Sequence, residues 1–425
     1  MKRLFRVSAS DSILATDMRK RFVQLLLLTL FVTLIGSTAD AQNSATVLVL
    51  VHANLIDGVS PDVLHDATVV VRDGRIESVG GNVSAPTGAQ VIDIKGRWLL
   101  PGFVDAHVHL RDLAAARHAV QSGATTVRAL GSSYFTDVGM RELHRAGLTD
   151  IPEVVAAGYQ IRPDLSQGNG DFFLDFPGMN PFMSGLRGSE NLRSVVRLLA
   201  EHHVDLIKIL ATERAGTPQT DPRKRTFTDE EMVAIVDEAR KAGLPVAAHA
   251  HGDEGARGAV LAGVHSIEHG TYLSDDTLAL MKTHGTYFVP TLSAISHMSK
   301  LENPVLQLRG RAMLPRARDT ATRAWKMGIK IVAATDSAYE GDSPVAADEI
   351  IALVGIGIPP MEAIKAGTSV SAECLGVGKR MGTIKPGMVA DFVTVDANPL
   401  ADIAALQDLV LVVHDGRVVM NRLNR

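Results

Sequence analysis

Eight short apolar segments set the frame of this chain, at 99–106, 124–130, 153–157, 205–210, 244–249, 265–268, 286–291 and 330–335. Stretches with helical spacing run between them, among them Asn191 to His202, Asp229 to Ala242, Asp275 to Thr283 and Arg311 to Met327. Thr228-Asp229-Glu230-Glu231 opens one of these with a hydroxyl at the cap and carboxylates in the first turn. Strand and helix in alternation make an α/β fold with parallel pairing. Eight such units over roughly 280 residues match the size of a (β/α)8 TIM-like barrel. An open doubly wound sheet is the competing architecture. The even count, and the residues at the segment ends, favour closure.

The flanks follow a different grammar. Ala45 to Ala53 is β-branched, Ala67 to Arg72 follows, and Asp73-Gly74 turns into Arg75 to Val79. Asp391 to Val395, Leu409 to Val413, Asp415-Gly416 and Arg417 to Met420 repeat that pattern at the far end. Neither flank is large enough to be stable alone, so both are expected to pair into one small composite β-sandwich domain. The expected boundaries are 42–98 and 381–425 for that domain and 99–380 for the barrel.

The ends of the apolar segments carry ionisable residues that a core does not accept readily. Pro101-Gly102-Phe103-Val104-Asp105-Ala106 leads to His107 and His109, which share a face because alternate strand side chains do. Lys208 lies inside the fourth segment, His249 and His251 end the fifth, His269 the sixth and Asp336 the eighth. Singly, each has a structural reading: a snorkelling lysine, a satisfied core histidine, a helix cap. Together, buried without a metal, they would be mutually repelling or unsatisfied. A dinuclear metal centre resolves the conflict, and imidazoles from strand ends suit a borderline-soft ion such as zinc.

On these residues the chain resembles the amidohydrolase superfamily. Leu99-Leu100-Pro101-Gly102-Phe103-Val104-Asp105-Ala106-His107-Val108-His109 and the late Gly382-Thr383-Ile384-Lys385-Pro386-Gly387-Met388-Val389-Ala390-Asp391 carry the resemblance. Val246 to Gly252 and Ser266 to Gly270 are similar to its imidazolonepropionase-like branch, with Xaa-Pro-type dipeptidases, carboxypeptidases and ochratoxin-hydrolysing enzymes. The resemblance implies two divalent ions, zinc by type. His107, His109 and Asp336 would hold the more buried one, and His249 and His269 the other. Lys208 would bridge them as a carbamate. His251 would touch the substrate, although the residues alone leave open which of His249 and His251 is the ligand. Asp336 would act as general base, with His251 helping to polarise the scissile carbonyl.

Loops after the strands set specificity in such barrels. The long loop from Tyr159 to Ser189 holds Phe172, Phe173, Phe176 and Phe182, an apolar wall or simply a lid. Asn169 stands where the branch often has a histidine, and Tyr159 and Asn169 are candidate substrate contacts. Arg214 is a candidate partner for a substrate carboxylate, whereas Arg223 to Arg225 read better as a solvated charge run. The expected function is cleavage of an amide beside a C-terminal carboxylate, in a dipeptide, an N-acyl amino acid or ochratoxin A. Hydrolysis of a cyclic amide, or deamination, is the alternative. Lys208 argues against deamination, and the full ligand set against a non-catalytic binding protein.

Arg19-Lys20-Arg21, the apolar run Phe22 to Ile35 and Ala39-Asp40-Ala41 read as a secretory signal peptide over 1–41, with export to the periplasm or beyond. Removing its six basic and three acidic residues from 43 and 47 leaves 37 and 44, a net charge of −7. No basic or aromatic-basic run suggests nucleic acid. The lone Cys374 has no internal partner for a disulfide. After cleavage no membrane association is expected, and the partners are small-molecule substrates and further copies of the chain in a homo-oligomer.

Overall fold

The computed structural model describes residues 47–163 and 186–424. The proposed signal peptide, Asn169 and the four loop phenylalanines lie outside the described residues.

The early strands are β1 (Val47–Leu55), β2 (Leu64–Arg72), β3 (Arg75–Gly80), β4 (Gln90–Asp93) and β5 (Trp98–Pro101). The late ones are β13 (Phe392–Val395), β14 (Leu409–His414) and β15 (Arg417–Asn421). They form one eight-stranded sheet in the order β15-β14-β13-β5-β1-β2-β3, with β4 beside β1. Strand β5 makes the join, pairing parallel to β1 and antiparallel to β13. The ladder is therefore continuous from one flank to the other. Leu48, Val69 and Ile76 pack in one cluster with Phe392, Leu411 and Val413, so neither end has a core without the other. Both Asp-Gly turns take positive φ at both residues, as two-residue hairpins require.

Gly102 carries the chain from this sheet into the next. Its N–H donates to Asp391 O at 2.9 Å, and a Cβ there would lie 2.3 Å from Thr125 Oγ1. Beyond it run β6 (Phe103–Val108), β7 (Ala124–Ala129) and β8 (Glu153–Ala156) in one parallel sheet. A second parallel sheet holds β9 (Ile207–Leu210), β10 (Val246–Ala250), β11 (Ser266–His269) and β12 (Tyr287–Val289). These seven strands are almost wholly buried, as parallel strands covered by helices on their faces are. A parallel bridge between Ile161 and Ile209 joins the two sheets. The segment 331–337 bridges both free edges, Ile331 to Phe288 and Ser337 to Val108.

That last segment is the main departure from a regular eighth strand. The Asp105 carboxylate takes the Thr335 N–H at 3.0 Å, which a ladder partner would otherwise accept, and the chain then turns with positive φ at Asp336 and Tyr339. The helices used below are α1 (Leu113–Gln121), α2 (Thr136–Arg145), α3 (Ser189–Glu201), α4 (Asp229–Lys241), α5 (Asp253–Ala262), α6 (Asp275–His284), α7 (Leu292–Met298), α8 (Pro304–Lys326) and α9 (Ala346–Val354). The expected helix start at Thr228 opens α4, and Thr228 and Glu231 form a reciprocal capping box there. Helix α8 begins seven residues before the expected Arg311, because Asn303 caps Val305 and Leu306 N–H and Pro304 sits in the first turn.

Candidate metal centre

His107, His109, Lys208, His249, His251, His269 and Asp336 line one cavity of about 90 Å³ at the C-terminal ends of the parallel strands. Arg214, Gln160, Ile295 and Met298 complete much of the wall.

The backbone explains the convergence. His107, next to last in β6, and His109, just past its end, both turn toward Asp336, with Nε2 to Oδ1 distances of 3.4 and 3.0 Å. Asp336 N donates to His107 O at 2.8 Å, so the turn after the Ile331 bridge is docked on the end of β6. His269 takes a left-handed backbone, φ 72°, which breaks the alternation of β11. Glu268 and His269 therefore both reach the cluster. Two of the proposed ligands, His269 and Asp336, thus occupy a region that L-residues rarely adopt, as residues at functional sites often do.

The outer ring nitrogens have fixed partners. His107 Nδ1 meets Glu268 Oε2 at 3.0 Å, His109 Nδ1 meets Gly131 O at 3.1 Å, and His249 Nε2 meets Glu213 O at 3.2 Å. A carbonyl or carboxylate only accepts, so each of those nitrogens carries the proton. The lone pairs at His107 Nε2, His109 Nε2 and His249 Nδ1 are left for the cavity. Hydroxyls hold the other two rings, Thr271 at His251 Nδ1 (2.8 Å) and Thr291 at His269 Nδ1 (2.7 Å). Such outer partners fix tautomer and orientation for metal binding.

Charge follows the same logic. Burial holds the His107 and His251 imidazoles down at about 4 and 3, with the Lys208 ammonium adding to the effect. The His249 and His269 imidazoles are also held well below their ordinary value, by burial and by the neighbouring histidines. All four are thus neutral at ordinary pH, the form in which an imidazole can bind a metal. Burial alone would raise the Asp336 carboxyl, but the imidazoles of His107, His109 and His269 hold it well below its usual range. Lys208 is fully buried, its pKa is lowered to about 8 by desolvation, and its Nζ has no hydrogen-bond partner. An orphaned buried amine between neutral histidines and a carboxylate is a donor set that fits a bridged pair of cations.

Four supporting residues were not singled out from sequence. Glu268 stays ionised at about 2: burial opposes this, but Arg128, 2.9 Å away, and His107 prevail. Asp105 takes Thr335 Oγ1 at 2.6 Å and Tyr339 Oη at 2.8 Å, tying β6 to the eighth segment. Arg309 of α8 donates to the carbonyls of Ala215, Thr217, Pro218 and Thr220, which holds the loop carrying Arg214. Gln160 lines the cavity where Tyr159 was expected. Tyr159, a candidate substrate contact, packs edge-on against Phe135 at 5.0 Å, and its hydroxyl accepts from Tyr134 N. Arg223 and Lys224 are paired with Asp221 and Glu213, as surface charge. Among the described residues Arg214 has no carboxylate partner.

The sequence model of the amidohydrolase family matches residues 98–419. An ochratoxinase from Aspergillus niger is 28% identical, covering 89% of this chain and 86% of the relative. An imidazolonepropionase from Pseudomonas fluorescens is 26% identical, covering 83% and 92%. A crystal structure of a Xaa-Pro dipeptidase with bound methionine in its active site superposes with a TM-score of 0.78 at 29% identity, covering 88% of this chain and 99% of that one.

Proposed function

The chain belongs to the amidohydrolase family, and we propose that it is a dinuclear-metal hydrolase of amide bonds that lie beside a free carboxylate. In this reading the two parallel sheets and the 331–337 segment form a (β/α)8 barrel over 99–380, and the mixed sheet forms the second domain. The observation that carries the reading is the buried Lys208 Nζ without a partner, among histidines whose lone pairs face one cavity.

His107, His109 and Asp336 would hold one zinc-type ion and His249 and His269 the other. Lys208, as a neutral amine, would add carbon dioxide, lose a proton and present two carbamate oxygens as the bridge. When bound, the pair of ions supplies a hydroxide near neutral pH, because shared water falls to a pKa of about 7, and polarises a carbonyl. Asp336 takes the proton of the attacking water and hands it to the leaving amine. His251, neutral and held by Thr271, orients the scissile carbonyl. Arg214 meets the substrate carboxylate from a neighbouring cavity of about 250 Å³ that it shares with Arg162, Arg187 and Lys224. The ochratoxinase and dipeptidase relatives support an N-acyl amino acid or dipeptide as substrate class.

The test compares an N-acyl-phenylalanine with its carboxyl-blocked amide and methyl ester. The free acid is expected to be cleaved faster, on the order of tenfold to a thousandfold in kcat/KM, as a charge-assisted hydrogen bond is lost on blocking. Arg214→Ala should shrink that ratio. Equal rates for blocked and free substrates would reject the carboxylate reading and favour a cyclic amide. A ratio unchanged in Arg214→Ala would reject Arg214 alone.

A further inference from the structure

A second group of ligand-type side chains lies at the other end of the parallel strands. His144 closes α2, Ile151 precedes β8, and His414 with Asp415 makes the turn from β14 to β15. His144 Nε2 and His414 Nε2 are 3.1 Å apart, although the residues are 270 apart in sequence. Asp415 Oδ2 lies 2.9 Å from the first and 3.9 Å from the second. Ligand bonds of about 2.0–2.1 Å at tetrahedral angles put donor atoms about 3.4 Å apart. The Ile151 carbonyl oxygen also lies 3.1 Å from His414 Nε2.

Protons alone satisfy this group poorly while Asp415 is ionised. His414 Nδ1 faces the Asp391 carboxylate at 2.9 Å and so carries a hydrogen. If both Nε2 atoms are protonated, two N–H groups meet at 3.1 Å. If only His414 is, the His144 lone pair faces the Asp415 carboxylate at 2.9 Å. If only His144 is, the His414 lone pair faces the Ile151 carbonyl at 3.1 Å. With Asp415 ionised, each arrangement sets two like groups within about 3.1 Å of each other, in a place where both rings are buried. A cation between the two lone pairs and the carboxylate turns each repulsion into a bond. Asp391 then orients His414 through Nδ1, as Glu268 orients His107 at the first site.

We propose that His144, His414 and Asp415 bind a separate zinc-type cation, a structural site that fastens the β14–β15 hairpin to α2 and the start of β8. The site shares no residue with the cavity described above, so it does not depend on the hydrolytic reading.

The full chain is stripped with a chelator, reloaded with zinc, dialysed against metal-free buffer and compared with His144→Gln and Asp415→Asn by metal analysis. Each folded variant is expected to hold one zinc fewer per chain than the wild type, with hydrolytic activity within about twofold and a lower Tm. Equal zinc content in wild type and a folded variant overturns the proposal, whatever the number of ions in the cavity. Where neither variant folds, anomalous diffraction from zinc-loaded wild-type crystals decides. A peak between His144, His414 and Asp415 supports the site, and none there rejects it.

Discussion

Lys208 is the residue on which the site turns. A charged ammonium buried without a partner is costly, and its pKa near 8 leaves an appreciable neutral fraction able to react with carbon dioxide. Lys208→Ala should lose most of the activity, and metal analysis should find the paired ions lost with it. Short carboxylic acids, supplying the missing pair of oxygens, should restore part of the rate. Near-normal activity without them would dismiss the bridge. His107, His109, His249, His251, His269 and Asp336 were legible in sequence because each ends an apolar segment. Glu268 and Asp105 were not. Strand alternation points a residue next to a histidine the other way, and it is the positive φ of His269 that lets His269 join the cluster while Glu268 keeps the inward face and meets His107. Asp105 acts through contacts 230 residues away, which local pattern does not encode.

At the scale of elements, the start of α7 shows one residue diverted and another replacing it. Thr291 stands at the cap position, but its hydroxyl holds His269 instead of a helix N–H. Glu349 of α9 supplies the acceptors, taking Leu292 N at 2.9 Å and Ser293 N at 2.7 Å. Burial pushes the Glu349 carboxyl up to about 7, against 4.5 for an ordinary glutamate. A carboxyl with a raised folded-state pKa contributes stability that is full below about pH 4.5 and is lost as pH rises through 7. Denaturant unfolding between pH 4.5 and 8 should therefore show a decline from this group on the order of 3 kcal/mol. The decline should be missing from Glu349→Gln, and an identical pH slope in both proteins would contradict it. Capping boxes and Asp-Gly turns were readable because their chemistry is local. The eighth segment was read as a strand because Ile331 to Ala334 is apolar, but Asp105 substitutes for the ladder there.

At the scale of the whole molecule, the two flanks were recognisable as one β unit from their shared composition. Their single continuous ladder was not, because the join is made by the four residues of β5. The apolar run ahead of Ala41 leads us to propose export with cleavage there. Amino-terminal sequencing of protein recovered from the periplasm or medium should begin near Gln42, and an intact Met1 or Met18 on all of it would reject cleavage. The central claim is metal-dependent amide hydrolysis, and the most direct test is phenylalanine release from an N-acyl-phenylalanine before and after metal exchange. Chelator-stripped protein should lose kcat/KM by at least about a hundredfold, in line with the loss of water activation and carbonyl polarisation, and zinc should restore it. Undiminished release by fully stripped protein, or no release by protein reloaded with zinc, would contradict the account.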